Sequence, residues 1–148
     1  MTETTRKPLS GLDSLRAMLA GKGRAPAISA TLNFKAVAVE EGVVTFTGTP
    51  LEAFTNPIGT VHGGWYGAIL DSCMACAVFS KLPAGTGYTT LEYKVNIIRP
   101  IPLGTEVTAT GTAQHVGRST GVAVGEIRGV DGRLYATGST TCIVMSQG

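Results

Sequence analysis

The chain has 148 residues, with 12 Lys and Arg against 10 Asp and Glu for a formal net charge of +2, and 43% of it is hydrophobic. A chain of this size builds one core without disulfides or metals and has no room for a second catalytic domain. The charges are scattered with no basic block, which excludes nucleic acid as a partner, and their share of 15% is well below the roughly 25% of an average soluble domain, so another subunit is expected to cover part of the surface.

Residues 1–9 read as a polar tail without the apolar stretch of a signal peptide, and no run of ~18 apolar residues follows, so a cytoplasmic protein with no membrane partner is expected. In residues 10–20, Leu12, Leu15 and Leu19 recur at helical spacing, with Ser10 and Asp13 as a start signal and Gly21 as a stop. A short amphipathic helix is predicted there, followed by a linker over residues 21–26. Residues 1–29 are thus tail, short helix and linker, and residues 30–148 the domain proper. From residue 31 the period becomes two: strands are predicted over residues 31–39 and 43–49, joined by a hairpin at Glu40, Glu41 and Gly42.

After Pro57 and Gly59 interrupt the chain, residues 62–79 form a helix of about five turns that is apolar on nearly every side and must be wrapped. Strand patterns then return over residues 88–98, 106–113, 120–127 and 134–144, with turns at 100–104, Gly117 and Asp131-Gly132. No second helix interrupts them, which excludes a parallel βαβ sheet and predicts an antiparallel meander. The architecture expected is α+β, one curved antiparallel sheet rolled around one long central helix, plus the short N-terminal helix. Cys73, Cys76 and Cys142 are odd in number and lie in apolar segments, which reads as buried reduced thiols.

Asp71 stands in the middle of the apolar helix. A buried carboxylate without a partner costs several kcal/mol, so it is tolerated only where it is paired or used. Two readings follow: an acid bonded to a loop or another helix end, or a general base or nucleophile. Gly64, Gly67, Ala68 and Ala75 share its helix face, and that stripe of small residues leaves room for a ligand or for close approach of another backbone. At the start of the same helix, His62-Gly63-Gly64 offers free backbone N–H groups suited to a developing oxyanion. The alternative is a glycine-rich turn with His62 as its bonding partner. Gly63 and Asp71 are eight residues apart, or ~12 Å along the helix axis, too far to act on one carbonyl group. Two helices lying antiparallel across a two-fold axis would solve this, the Gly63 amide of one chain facing Asp71 of the other.

The run Asn56-x-x-Gly59-x-x-His62-Gly63-Gly64 followed by Asp71 resembles the signature of hotdog-fold acyl-CoA thioesterases of the phenylacetate-degradation, or PaaI-like, type. The order of elements is similar over roughly residues 30–145. The resemblance implies hydrolysis of acyl-CoA to a free acid and CoA, with no cofactor or metal beyond the CoA of the substrate, in a homodimer or homotetramer. It implies that Asp71 is the base or nucleophile, that the Gly63 amide polarises the thioester carbonyl with Gly64 beside the substrate, and that Asn56 and His62 shape and orient the site. Thr90, or its neighbour Thr89, matches a residue holding the lytic water. Arg118, Ser119 and Thr120 match a segment contacting the CoA nucleotide and phosphates. Relatives carrying Glu at the acid position exist, so Asp narrows the subgroup. The acyl group implied is aromatic, with medium-chain groups open.

Two other signals mislead. Gly117-Arg118-Ser119-Thr120-Gly121 fits a nucleophile elbow, but Val122, Val124 and Ile127 continue as a strand where a helix is required, and both histidines, His62 and His115, precede the serine. Cys73-x-x-Cys76 lies within the helix with no second pair for zinc. The rival function is a non-catalytic module binding acyl-CoA or another acyl ligand, which needs no acid in the helix.

Overall fold

The Ser10 hydroxyl accepts the Asp13 N–H at 3.1 Å and starts helix α1 (Gly11–Leu19) as its sequence predicts. In the computed structural model, which describes residues 6–146, α1 packs into the core through Leu15, only 4% exposed. Residues 6–10 carry no regular structure, and the rest of the predicted tail lies outside the described residues. A one-turn helix, α2 (Ala27–Thr31), follows the predicted linker and takes only the first residue, Thr31, of the first predicted strand. Five residues are too few for a helical period to show, and Asn33, at φ 56, ends the turn in a left-handed conformation that asparagine tolerates. Strand β1 therefore begins only at Phe34.

Strands β1 (Phe34–Glu40) and β2 (Val43–Gly48) form the expected hairpin, with Glu40 paired to Val43. Helix α3 (Gly63–Phe79) follows, then β3 (Thr86–Ile97), β4 (Val107–Val116), β5 (Thr120–Gly129) and β6 (Leu134–Ser146). Every pairing is antiparallel, yet the strand order is β1-β2-β4-β5-β6-β3. The sheet is thus not the simple meander expected. Only short links force consecutive strands to be neighbours, and α3 with its loops separates β2 from β3 and carries the chain to the far edge.

The sheet wraps α3. Ile69, Leu70, Cys73, Met74, Ala77 and Val78 are fully buried against it. Gly125 and Gly138 are register partners on β5 and β6, and Leu70 and Met74 fill the space above them. The Tyr66 hydroxyl accepts the Ile101 N–H at 2.9 Å and donates to the Arg99 carbonyl at 3.2 Å, fixing the chain that leaves β3 onto the helix. Burial pushes the Tyr66 pKa up, so this phenol stays a donor.

β3 closes one edge of the sheet, pairing only with β6 among the described residues. Its other edge is twelve residues long, and Leu91, Tyr93 and Ile97 on it are 58%, 48% and 51% exposed. A long apolar edge is a ready template for pairing with another chain.

Candidate active site

The helix α3 lies along β3 in the opposite sense. Gly63 faces Ile97, Gly67 lies under the ring of Tyr93, and Asp71 meets Thr90. The small-residue stripe thus admits the edge strand of its own chain. A Cβ on Gly67 would come within 2.9 Å of the Tyr93 ring, so any larger residue there would push the ring away from the helix.

Asp71 is half-buried, and its Oδ1 accepts a 2.8 Å hydrogen bond from the Thr90 hydroxyl. Its Oδ2 has no partner among the described residues. The ion pairs among those residues, Arg128 with Glu126 and Arg133 with Asp131, lie elsewhere, so Asp71 is ion-paired with no cation of the described residues. The acid borders a cavity of about 760 Å³ together with Ser72, Ala75, Cys76, Thr89 and Thr90. Burial pushes the Cys76 thiol up to about 12, with the Tyr88 hydroxyl opposing and the charge of Asp71 adding to the rise. Burial, reinforced by Cys76 and Cys142, pushes the Tyr88 phenol well above its ordinary value. Both are neutral near pH 7, and among the described residues Asp71 is the one carboxylate lining the cavity.

The N-terminus of α3 is capped by His62, whose Nδ1 accepts the Gly64 N–H at 2.8 Å. An accepting Nδ1 requires the tautomer with its proton on Nε2. The Trp65 N–H goes to the His62 carbonyl at 2.9 Å. Of the amides that the sequence leaves open, Gly64 is therefore spent on the cap, and Gly63 is the exposed N–H with no partner among the described residues. Asn56 turns inward on its own loop: Oδ1 accepts from Ile58 and Thr60, each at 3.2 Å, and Nδ2 donates to the Thr60 hydroxyl at 2.8 Å. It holds the segment leading to His62.

The predicted residues fall into separate groups within one chain. Asp71, Thr89 and Thr90 share the large cavity, whereas Gly63 and Asn56 line a cleft of about 320 Å³ with Ile97, Ile98 and Arg99. Arg118, Ser119 and Thr120 form the exposed β4–β5 turn, where the Gly117 N–H closes onto the Thr120 carbonyl at 2.8 Å. Thr120 is in register with Ile143, and Ile143 with Thr89. The turn thus sits at the same end of the sheet as the acid, about 10 Å from Thr89 at ~4.8 Å per strand. Sequence reasoning did not single out two residues that line these spaces: Arg99, two positions beyond β3 and just before Pro100, beside Gly63, and Tyr88, whose ring packs on Phe79, beside Asp71.

Residues 58–136 match the family model of the thioesterase superfamily. Among solved structures, a phenylacetic acid degradation-related protein of Ralstonia eutropha is 32% identical, with a TM-score of 0.80 over 88% of this chain and 98% of that one. The PaaI protein of the E. coli phenylacetic acid degradation operon, 23% identical, has the same fold, with a TM-score of 0.80 over 93% of this chain and 94% of that one. A thioesterase-type protein of Streptococcus pneumoniae, solved with coenzyme A, is 28% identical, with a TM-score of 0.73 over 82% and 92% of the two chains. Among curated protein sequences none matches. The chain belongs to the thioesterase superfamily. It is a thioester hydrolase with the hotdog fold of the PaaI type, as the Asn56 to Asp71 signature implies.

Proposed function

We propose that the protein hydrolyses acyl-CoA thioesters with aromatic or medium-chain acyl groups, at two equivalent sites shared between the chains of a homodimer. The observation that carries this reading is that Asp71 and the free Gly63 amide open onto different spaces of one chain. Neither cavity holds both groups that acyl transfer needs. Gly67, beside Tyr93, lies midway between them on α3. If two β3 edges meet antiparallel on a two-fold axis at Tyr93, the partner's Gly63 comes opposite Asp71, and the exposed Leu91 and Ile97 are covered. A tetramer would pair two such dimers.

In the shared site the partner's Gly63 N–H donates to the thioester oxygen as it gains negative charge. Thr90 fixes Asp71 through Oδ1, leaving Oδ2 for the chemistry. That oxygen either takes a proton from an attacking water or attacks the carbonyl itself to form a mixed anhydride, which water then opens. In both routes the carbon–sulfur bond breaks, and CoA leaves as a thiolate that takes up a proton. The chemistry calls for no cofactor beyond the CoA of the substrate. The exposed Arg118 turn, at the same end of the sheet as Asp71, is assigned to the nucleotide end of CoA, and the S. pneumoniae relative with coenzyme A bound supports that ligand. Three free cysteines, two of them buried, fit a reducing cytoplasm.

The test is release of thiol from a panel of acyl-CoAs, followed with a thiol-reactive dye. Turnover on arylacyl or medium-chain substrates, abolished in Asp71→Asn, is expected. Absence of turnover across the panel would refute the assignment. Labelling with solvent oxygen in a single turnover tests for the anhydride route, since label in Asp71 arises only when water opens an anhydride at the Asp71 carboxyl carbon.

A further inference from the structure

The cavity beside Asp71 is built within one chain, and its outer wall is α1, which lies outside the residues matched to the family. Leu15, Ala17 and Met18 face it from that side. Across from them stand Ala75 and Phe79 of α3 and Tyr88 of β3, the last two in ring contact with centroids 5.1 Å apart and planes tilted by 34°. These surfaces are apolar, and Cys76 and Tyr88 among them carry no charge near pH 7. The wall is also fixed in place. The Gly11 N–H donates to the Leu82 carbonyl at 3.0 Å, and a Cβ on Gly11 would overlap the Phe79 carbonyl oxygen, so glycine is what brings α1 onto the end of α3.

We propose that this cavity holds the acyl group of the substrate and that α1 sets its length, with Ala17 and Met18 as specificity-determining residues. The proposal rests on the thioesterase reading for the place of the thioester at Asp71. An uncharged acyl group suits the lining, either a methylene chain running under α1 or an aryl ring stacked on the Phe79 and Tyr88 pair. A volume of about 760 Å³ is of the size that takes a whole small ligand. Lys22 and Arg24 stand in the exposed linker at the outer end, where a longer chain would run out of apolar wall.

The experiment measures binding of non-hydrolysable S-alkyl-CoA thioethers, ethyl, hexyl, decyl and 2-phenylethyl, to the full chain by calorimetry. Displacement of cis-parinaric acid gives a readout free of CoA. Each methylene buried in the wild-type cavity should tighten binding roughly fourfold, so Ala17→Phe, by excluding about three of them, lowers the decyl-to-ethyl affinity ratio about sixtyfold. Met18→Ala only removes atoms, so it keeps the test open if the bulkier variant misfolds, and it should move the optimum to longer or bulkier groups. Separate responses to decyl and 2-phenylethyl distinguish chain from ring. An unchanged decyl-to-ethyl ratio in both variants overturns the proposal, as does equal weakening of ethyl and decyl, which would place the pantetheine arm in the cavity. If the wild type cleaves no acyl-CoA but binds parinaric acid and loses it in Ala17→Phe, the catalytic reading fails and the cavity assignment stands.

Discussion

Replacing Gly63 by proline removes one N–H and little else. Gly63 is the first residue of α3, the position at which proline is best tolerated in a helix because that amide has no intrahelical acceptor. The preceding His62, at φ −61 and ψ 136, already has the extended conformation that a following proline imposes. The amide gives up no hydrogen bond among the described residues, and the nearest neighbour of an added Cβ is Ile97 Cδ1 at 3.4 Å. Fixing the chain at such a site is neutral or stabilising by about 0.4–1 kcal/mol. If this amide is the oxyanion donor, its loss costs about 2.7–4 kcal/mol of transition-state stabilisation, a drop of roughly 10²–10³ in kcat. Gly63→Ala keeps the N–H and should retain turnover to within a few-fold. The assays are thiol release and a circular-dichroism melt. An unchanged melting temperature with kcat within about threefold of wild type would refute the role of this amide in stabilising charge.

Other consequences are more direct. Asp71→Asn should lower kcat by roughly 10²–10⁴ with the fold retained, as loss of a general base does, and near-wild-type turnover would remove the acid from the mechanism. Thr90→Val should lower kcat about tenfold with KM little changed, in keeping with loss of one hydrogen bond to a charged group, and Thr90→Ser should restore it. Tyr93→Lys on the β3 edge should shift the protein to monomer in size-exclusion chromatography and abolish turnover together; an active monomer would contradict the shared site. Cys76, its thiol raised to about 12 by burial, is mainly thiolate only above that value. At pH 8 its alkylation by iodoacetamide should be roughly a thousandfold slower than that of a free cysteine, and a reaction as fast as a free cysteine's would mean that burial does not hold the thiol protonated.

The central helix and the strands were legible because their periods are long and unmixed: seventeen residues with hardly a polar side chain, and runs of β-branched residues between glycine turns. The position of β3 was not legible, because nothing local in a strand states which edge it joins once a helix intervenes. Nor was α2, whose single turn is set by Pro26 before it and by Asn33 after it. At the site, the acid and the glycine were found by their chemical oddity within greasy surroundings. What the sequence left open was how the polar groups around them are spent. His62 faces back onto Gly64 and Asn56 onto its own loop, so both position the helix start, and the choice among three consecutive amides is made by the cap. The wall supplied by α1 was invisible because a short amphipathic helix does not reveal what its apolar face covers.

The most direct test of the shared site is complementation between two inactive chains. A heterodimer of Gly63→Pro with Asp71→Asn, isolated by two different tags, contains one site with both groups intact and one with neither. The account predicts about half the turnover of the wild-type dimer, against almost none in either homodimer. A heterodimer as inactive as its parents would place both groups in one chain and contradict the account.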